Sequence, residues 1–345
     1  MARSQRFSRL SLLFIIVSVF AVACGSQPVL TATTLPPSVT ALPTNTPLPP
    51  SQTPTSTLTP TPTITPTPTP VRLVPKLDHI VMILFENKEY TVTIGNSQMP
   101  NFNRLAKSYT LLSQYYAITH PSLPNYLAMV SGDYFGIKTD YPSKIIDATN
   151  LPDLLESHRL TWKTYQESMP APCGLEDTLR YNQKHNPFVF FSDIRNNPDR
   201  CKQSVVPLTQ LQADIQQNTL PNYAFIMPNL CNSAHDCDVK IADDWLGKMV
   251  DQLVAYQPLL ENGLIVITWD EGTGIHTCCG LTTVGGRVAT ILISSKVMPG
   301  FNDNTPYTHY SLLKTILYNW DLPELGHTAD PQTTLITAPW KKQIP

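Results

Sequence analysis

The sequence predicts an α/β domain built on a mostly parallel central sheet with helices on both sides. Three observations carry that expectation. Four short runs are predominantly apolar, the pattern of strands buried on both faces: residues 79–85, 223–227, 264–269 and 289–294. Helix-like segments fall between them, at Asn101–Tyr109, Pro124–Ser131, Asp153–His158, Asp243–Tyr256 and Tyr310–Trp320. Their alternation with the strands is the signature of crossover-connected parallel strands.

The domain does not fill the chain. Residues 1–24 read as a targeting segment. Arg3, Arg6 and Arg9 precede the uncharged apolar run Leu10–Ala23, which is too short to span a bilayer comfortably. Ala21-Val22-Ala23-Cys24-Gly25 has the form of a bacterial lipobox, so Cys24 is the expected site of lipid attachment. Ordinary secretion with cleavage nearby is the alternative. Residues 25–72 form an expected disordered stalk, almost entirely Thr, Pro, Ser, Leu and Ala from Pro28 to Pro70 and without Asp, Glu, Lys or Arg there. Such a Thr-Pro tract favours extended polyproline geometry and cannot bury a core. At about 3.1 Å per residue it reaches roughly 100 Å or more. Residues 73–345 are long enough for one sizeable domain. The expected location is outside the cytoplasm, lipid-anchored to a bacterial membrane or secreted.

A net charge of -2 leaves no electrostatic footprint for nucleic acid. Of seven cysteines, six remain once Cys24 is set aside, an even number that in an exported domain predicts up to three disulfides. Sequence order favours Cys173–Cys201, Cys231–Cys237 and Cys278–Cys279, although six cysteines permit 15 pairings. A zinc cluster is the rival, and the spacing lacks the paired two-residue gaps of a zinc ribbon.

In parallel α/β sheets chemistry gathers at the carboxyl ends of the strands. That places Glu86-Asn87, Pro228-Asn229 and Asp270-Glu271 on one edge. Glu86 and Asn87 offer hard oxygen donors directly after the first strand. Asp270 and Glu271 are adjacent carboxylates whose mutual repulsion a bound cation would offset. Ser122 stands in His120-Pro121-Ser122-Leu123-Pro124-Asn125-Tyr126, where two prolines restrict the backbone on either side. The helix expected after it points its N–H groups and dipole at any phosphate held there, with the Asn125 amide as a further donor. The loop from Asn229 to Asp238 gathers His235 and Asp236 between two cysteines, and His309 precedes an amphipathic helix. His276 reads as peripheral, and Asp243 and Asp244 as the start of a helix.

The order of these segments resembles the bacterial phosphoesterase family of acid phosphatases and phospholipases C, within the alkaline-phosphatase superfamily. The series is strand–Glu-Asn, then His-Pro-Ser-x-Pro-Asn-Tyr, Pro-Asn…His-Asp, Asp-Glu-Gly and His-Tyr-Ser-Leu-Leu, over residues 77–322. Lys184-His185-Asn186-Pro187-Phe188 is similar to a segment of the shorter acid-phosphatase branch, which includes secreted phosphatases acting on phosphoinositides.

The resemblance implies an alkaline-phosphatase-like three-layer α/β/α sandwich that hydrolyses phosphate monoesters. It implies Ser122 as nucleophile, passing through a phosphoserine. Glu86, Asn87, Asp270 and Glu271 are then ligands of a divalent metal ion whose identity stays open. Asn125, His235 and His309 bind the phosphoryl group or move protons, and Asp236 orients His235 or holds a second metal. The Asp-Glu pair stands where two-zinc alkaline phosphatases have Asp-His, which weakens a two-zinc assignment. A phospholipase C-type diesterase and a non-catalytic surface-binding lipoprotein are the alternatives. The expected partners are a phosphate-ester substrate and, through the lipid, a membrane; oligomeric state is not legible.

Overall fold

A computed structural model describes residues 72–341; Cys24 and residues 25–71 of the expected stalk lie outside them. The strands are β1 (His79–Phe85), β2 (Thr110–Tyr116), β3 (Trp162–Gln166), β4 (Val205–Pro207), β5 (Tyr223–Met227), β6 (Gly263–Trp269), β7 (His276–Cys278), β8 (Leu281–Val284), β9 (Arg287–Ile293), β10 (Asn302–Asp303) and β11 (Tyr307–Thr308). Nine of them make the central sheet, in the order β10-β2-β9-β6-β1-β5-β3-β4, with β11 also on β2. Only β9 runs against its neighbours β2 and β6. The other pairings are parallel. β7 and β8 form a separate hairpin. With helices covering the sheet, this is the three-layer α/β/α sandwich.

The four apolar runs become the contiguous centre of the sheet, β9-β6-β1-β5. All seven residues of β6 and all five of β5 are buried, as strands covered on both faces must be. β2 and β3 escape the apolar criterion because Ser113, Gln114, Lys163, Thr164 and Gln166 interrupt them. Their polar atoms are spent locally: Gln166 Nε2 donates to Thr164 Oγ1 at 2.7 Å, and Ser113 Oγ to Asp303 O at 3.0 Å.

The helices begin earlier than their sequence pattern implies. The segment expected from Asp153 spans Leu151–Ser157, because Asn150 caps it reciprocally with Asp153 and Pro152 fits its first turn. The segment expected from Asp243 spans Val239–Val254. Asp243 therefore does not start that helix. It is fully buried and caps a different one, Pro100–Ser108: its Oδ1 accepts Phe102 N at 2.7 Å and its Oδ2 accepts Asn101 N at 3.0 Å. Met99 at that N-terminus supplies no side-chain cap, so the carboxylate comes from across the packed helix pair. The three disulfides favoured by sequence order all form.

Asp243→Ala is expected to lower unfolding stability by about 3 kcal/mol, since it strands the buried Phe102 N–H and the half-buried Asn101 N–H, both bound to a charged acceptor. Urea denaturation at neutral pH checks it; a loss below about 1 kcal/mol would refute the buried cap.

Candidate active site

β1 and β6 lie side by side in parallel, with Phe85 opposite Trp269. The chain therefore leaves both strands at one level, and Glu86 and Asp270 emerge as neighbours. Both are fully buried. Asp270 N donates to Phe85 O at 2.9 Å, and Asn87 N donates to Asp270 Oδ1 at 2.9 Å. Asp270 Oδ2 is buried with no partner. Asn87 has φ +59°, a left-handed conformation that Asn tolerates better than most residues, and it turns the chain sharply after β1. Its Nδ2 donates to Glu86 Oε2 at 3.2 Å.

Ser122 opens the helix Ser122–Ser131 and is 2% exposed. Its Oγ lies 2.9 Å from Glu271 Oε1, 3.3 Å from Glu86 Oε2 and 3.5 Å from Asn87 Oδ1. A hydroxyl has one hydrogen to give, so it cannot satisfy three acceptors at once. Burial, followed by the charge of Asp270, raises Glu86 well above the usual carboxylate range. Burial and the charge of Glu271 push Asp270 up to about 7. Crowded oxygens, an orphaned carboxylate atom and a set of hard donors fit a divalent cation. The residues that would hold it are Glu86, Asn87, Ser122, Asp270 and Glu271.

The backbone around Ser122 is held from three sides. Gly285 N donates to Ala117 O at 3.2 Å, and Ala117 N donates to Gly286 O at 3.1 Å. A Cβ on Gly285 would meet Thr119 O at 1.9 Å, so only glycine allows this approach. Asn125 is fully buried beneath the loop. Its Oδ1 accepts Ile118 N at 2.8 Å and Thr119 N at 3.1 Å, while its Nδ2 donates to Thr119 O at 2.8 Å and Pro121 O at 3.2 Å. Every polar atom of Asn125 is thereby committed, so it braces the loop before Ser122 and is not free for a phosphoryl oxygen. The helix N-terminus is also occupied: Leu123 N donates to Asp140 Oδ1 at 3.0 Å, and Lys184 holds Asp140 at 2.8 Å.

The histidines divide differently from expectation. His309 is fully buried, its Nε2 donates to Asp270 O at 2.6 Å, and its Nδ1 accepts from the Tyr115 hydroxyl at 3.1 Å. Burial lowers it to about 4, so it stays neutral with both nitrogens bound. It positions the Asp270 backbone and has no nitrogen left for phosphate or proton transfer. His235 is 28% exposed, with Nδ1 2.6 Å from Asp236 Oδ1. Asp236 orients it and stands outside the group of convergent donors among the described residues. The loop carrying both is pinned by the Cys231–Cys237 bridge and by Glu167, whose carboxylate accepts Asn229 N and Asn232 Nδ2 at 2.8 and 2.9 Å.

Two histidines of the site carry no role in the sequence reading. His120 makes a close ion pair with Glu271 through Nδ1, and its Nε2 donates to Gly274 O at 3.1 Å. The bond to Glu271 raises its pKa above the usual imidazole range. His185 is buried against Tyr126, with Nε2 3.1 Å from Glu86 Oε1. Its burial, then the nearby Lys184 and His235, hold it well below the usual range, so it is neutral. The signals were present in the two motifs, His-Pro-Ser and Lys-His-Asn-Pro-Phe, but neither histidine follows a recognisable strand.

The Phosphoesterase family matches residues 94–323. The chain belongs to that family. It is 32% identical over 262 residues to the phosphate-repressible acid phosphatase of Penicillium chrysogenum, covering 72% of this chain and 60% of that one. It is 29% identical over 259 residues to the phosphatidylinositol-3-phosphatase of Mycobacterium tuberculosis, covering 74% and 81% respectively. The chain thus spans about 60% of the length of the fungal acid phosphatase it matches. Among solved structures it is similar to an alkaline-phosphatase-superfamily protein of Vibrio parahaemolyticus, with TM-score 0.52, 12% identity and coverage of 76% and 72%. A second is the lipoteichoic acid synthase LtaP of Listeria monocytogenes, with TM-score 0.50, 11% identity and coverage of 78% and 77%. These two likenesses speak for the fold alone.

The raised Asp270 sets the sign of a pH effect. The folded protein keeps the proton to about pH 7, whereas the unfolded chain loses it near the ordinary 3.8. The Asp270 contribution to stability therefore falls as pH rises from about 4 to about 7. His309 acts oppositely over much of that window, because its unfolded form takes a proton near 6.5 and its folded form only near 4. The measurable quantity is a difference. In chelator-treated protein, Asp270→Asn should gain in Tm relative to the parent chain as pH rises from 4 to 7. A gap independent of pH in paired thermal melts would refute it.

Proposed function

We propose that this phosphoesterase hydrolyses phosphate monoesters in a cation-dependent reaction, with Ser122 as the nucleophile. The observation that supports the reading best is the Ser122 hydroxyl at a helix start, ringed by the oxygens of Glu86, Asn87 and Glu271. The matches to acid phosphatases and to a phosphoinositide phosphatase support the same chemistry.

A divalent cation, when bound, lowers the pKa of the hydroxyl and screens phosphate charge. The protein's own part follows from its geometry. Asn125 and Gly285 fix the loop so that Ser122 Oγ is presented in one orientation. Glu271, 2.9 Å away and backed by His120, accepts the hydroxyl hydrogen. The serine oxygen bonds to phosphorus as the bond to the leaving oxygen breaks, and the alcohol departs with a proton from solvent. Water then cleaves the phosphoserine, releasing phosphate and restoring the hydroxyl. The leaving group has room in an open cleft of about 640 Å³ whose walls include Lys88, Val92, His235, Asp236 and Ile241. The similarity to a phosphatidylinositol-3-phosphatase makes the phosphate monoesters of inositol lipids the substrate class we favour.

We also propose that Cys24 carries lipid and that residues 25–72 hold the enzyme clear of a membrane, so that lipid headgroups come within its reach. Cys24→Ser should release the protein while leaving specific activity unchanged. Fractionation and mass spectrometry of the mature N-terminus decide it; an unmodified terminus elsewhere would refute the anchor.

Ser122→Ala should retain the fold and lower turnover of p-nitrophenyl phosphate by at least about 10³-fold, since nucleophile and shared donor go together. Turnover within tenfold of the parent, in a protein with an unchanged melting curve, would overturn the assignment. Glu271→Gln keeps the shape but removes the proton acceptor and one anionic donor. It should both reduce turnover and raise the cation concentration needed for half-maximal rate; an unchanged cation requirement would argue against Glu271 as a ligand.

A further inference from the structure

Glu86 offers its two carboxylate oxygens to two different neighbourhoods. Oε2 has Asn87 Nδ2 at 3.2 Å and Ser122 Oγ at 3.3 Å. Oε1 takes a close hydrogen bond from the Tyr126 hydroxyl and lies 3.1 Å from His185 Nε2. The oxygen set around Ser122 accounts for the first side only.

The second side contains an unexplained atom. His185 is 2% exposed, and its Nε2 has no hydrogen-bond partner, although Glu86 Oε1 lies 3.1 Å away. A buried ring nitrogen left unpaired is costly, and native folds rarely retain one without a use. His185 is stacked on Tyr126, with ring centroids 5.6 Å apart, and its ring lies 5.6 Å from that of His235. One ligand atom each from Glu86, His185 and His235 falls within 4.8 Å of the other two. Asp236 Oδ1, 2.6 Å from His235 Nδ1, keeps a proton on that nitrogen and leaves the Nε2 lone pair for a ligand. Carboxylates back metal-binding imidazoles in this way, fixing tautomer and ring orientation.

We propose that Glu86, His185 and His235 form a second cation site, sharing Glu86 with the oxygen set around Ser122. This extends the reading of that oxygen set as a cation site. The two sites differ in donor chemistry. Glu86, Asn87, Ser122, Asp270 and Glu271 offer oxygen alone and suit a hard ion such as Mn²⁺, Mg²⁺ or Ca²⁺. Two imidazoles and one carboxylate are the donors of a borderline ion, with Zn²⁺ the best match. Three protein donors with a further position open toward solvent is the layout of a cation that also takes a substrate oxygen. His235, which lines the 640 Å³ cleft, provides that opening. The substrate oxygen placed there is one on the phosphate or on its leaving group.

The test is a count of bound ions. The full chain, stripped with chelator, is dialysed to equilibrium against Zn²⁺ and Mn²⁺ together and assayed by elemental analysis for total bound ions, with melting curves as the control for folding. The parent chain should bind two equivalents. His185→Asn and His235→Ala should each bind one, and Asp270→Asn should lose the other. Asp236→Asn should keep two, one of them held about 10- to 100-fold more weakly. Should His185→Asn fail to fold, His235→Ala carries the test from its partly exposed loop. One equivalent in the parent, or two in both histidine variants, overturns the proposal. So does unchanged ion content with weakened binding of inorganic phosphate, which would make the histidines anion donors. The phosphoesterase reading fails separately: a cation-loaded parent chain that does not hydrolyse p-nitrophenyl phosphate would sink it without altering the count.

Discussion

Electrostatic crowding at the ends of β1 and β6 is the constraint on which the rest of this site depends. Parallel pairing in register brings Glu86 beside Asp270, and Glu271 follows at once. Three acids in a fully or largely buried space are unfavourable as anions, and the raised pKa values of Glu86 and Asp270 record that cost. Only Glu271 is paired with a base, His120; the other basic groups nearby leave Glu86 and Asp270 uncompensated. Lys88 donates to a backbone carbonyl, Lys184 is held by Asp140, and His309 is kept neutral. The protein thus conserves a local excess of negative charge, and the Ser122 hydroxyl stands inside it.

The neighbouring elements serve to keep that arrangement from collapsing. Asn125 spends four hydrogen bonds on the loop before Ser122. Gly285 and Gly286 close the same loop from the other side. Glu167 gathers the loop after β5, also receiving the Trp245 indole N–H at 3.2 Å. None of these residues needs to touch a ligand to matter; each removes a way for a residue of the candidate site to drift.

Much of this was legible in the amino-acid sequence, and the gaps have physical causes. Predominantly apolar runs mark β1, β5, β6 and β9 because both faces of a central strand are covered. Carboxylates placed directly after such runs mark Glu86 and Asp270 as edge residues. β2 and β3 hide because their polar side chains find partners within the fold, which composition alone cannot reveal. The hydrogen bonds of Asn125 and His309 were hidden for a related reason. A polar residue in a motif looks available for ligand until the structure shows its hydrogen bonds already made. His120 and His185 stood in recognisable motifs without an assigned role, because they reach the site through tertiary packing from segments without strand or helix periodicity. Asp243 looked like a helix start because local rules cannot express a cap supplied by another helix.

The Cys231–Cys237 bridge divides the site by its dependence on compartment. Glu86, Asp270 and Ser122 are placed by strand register and by a helix start, features that hydrophobic burial enforces wherever the chain folds. His235 and Asp236 sit in a short loop whose closure relies also on an oxidised cysteine pair. A chain folded in a reducing cytosol therefore arrives with its oxygen donors assembled and its imidazole arm loosely held. The imidazole arm of the site is thus sensitive to thiol reductants, while the oxygen donors are not.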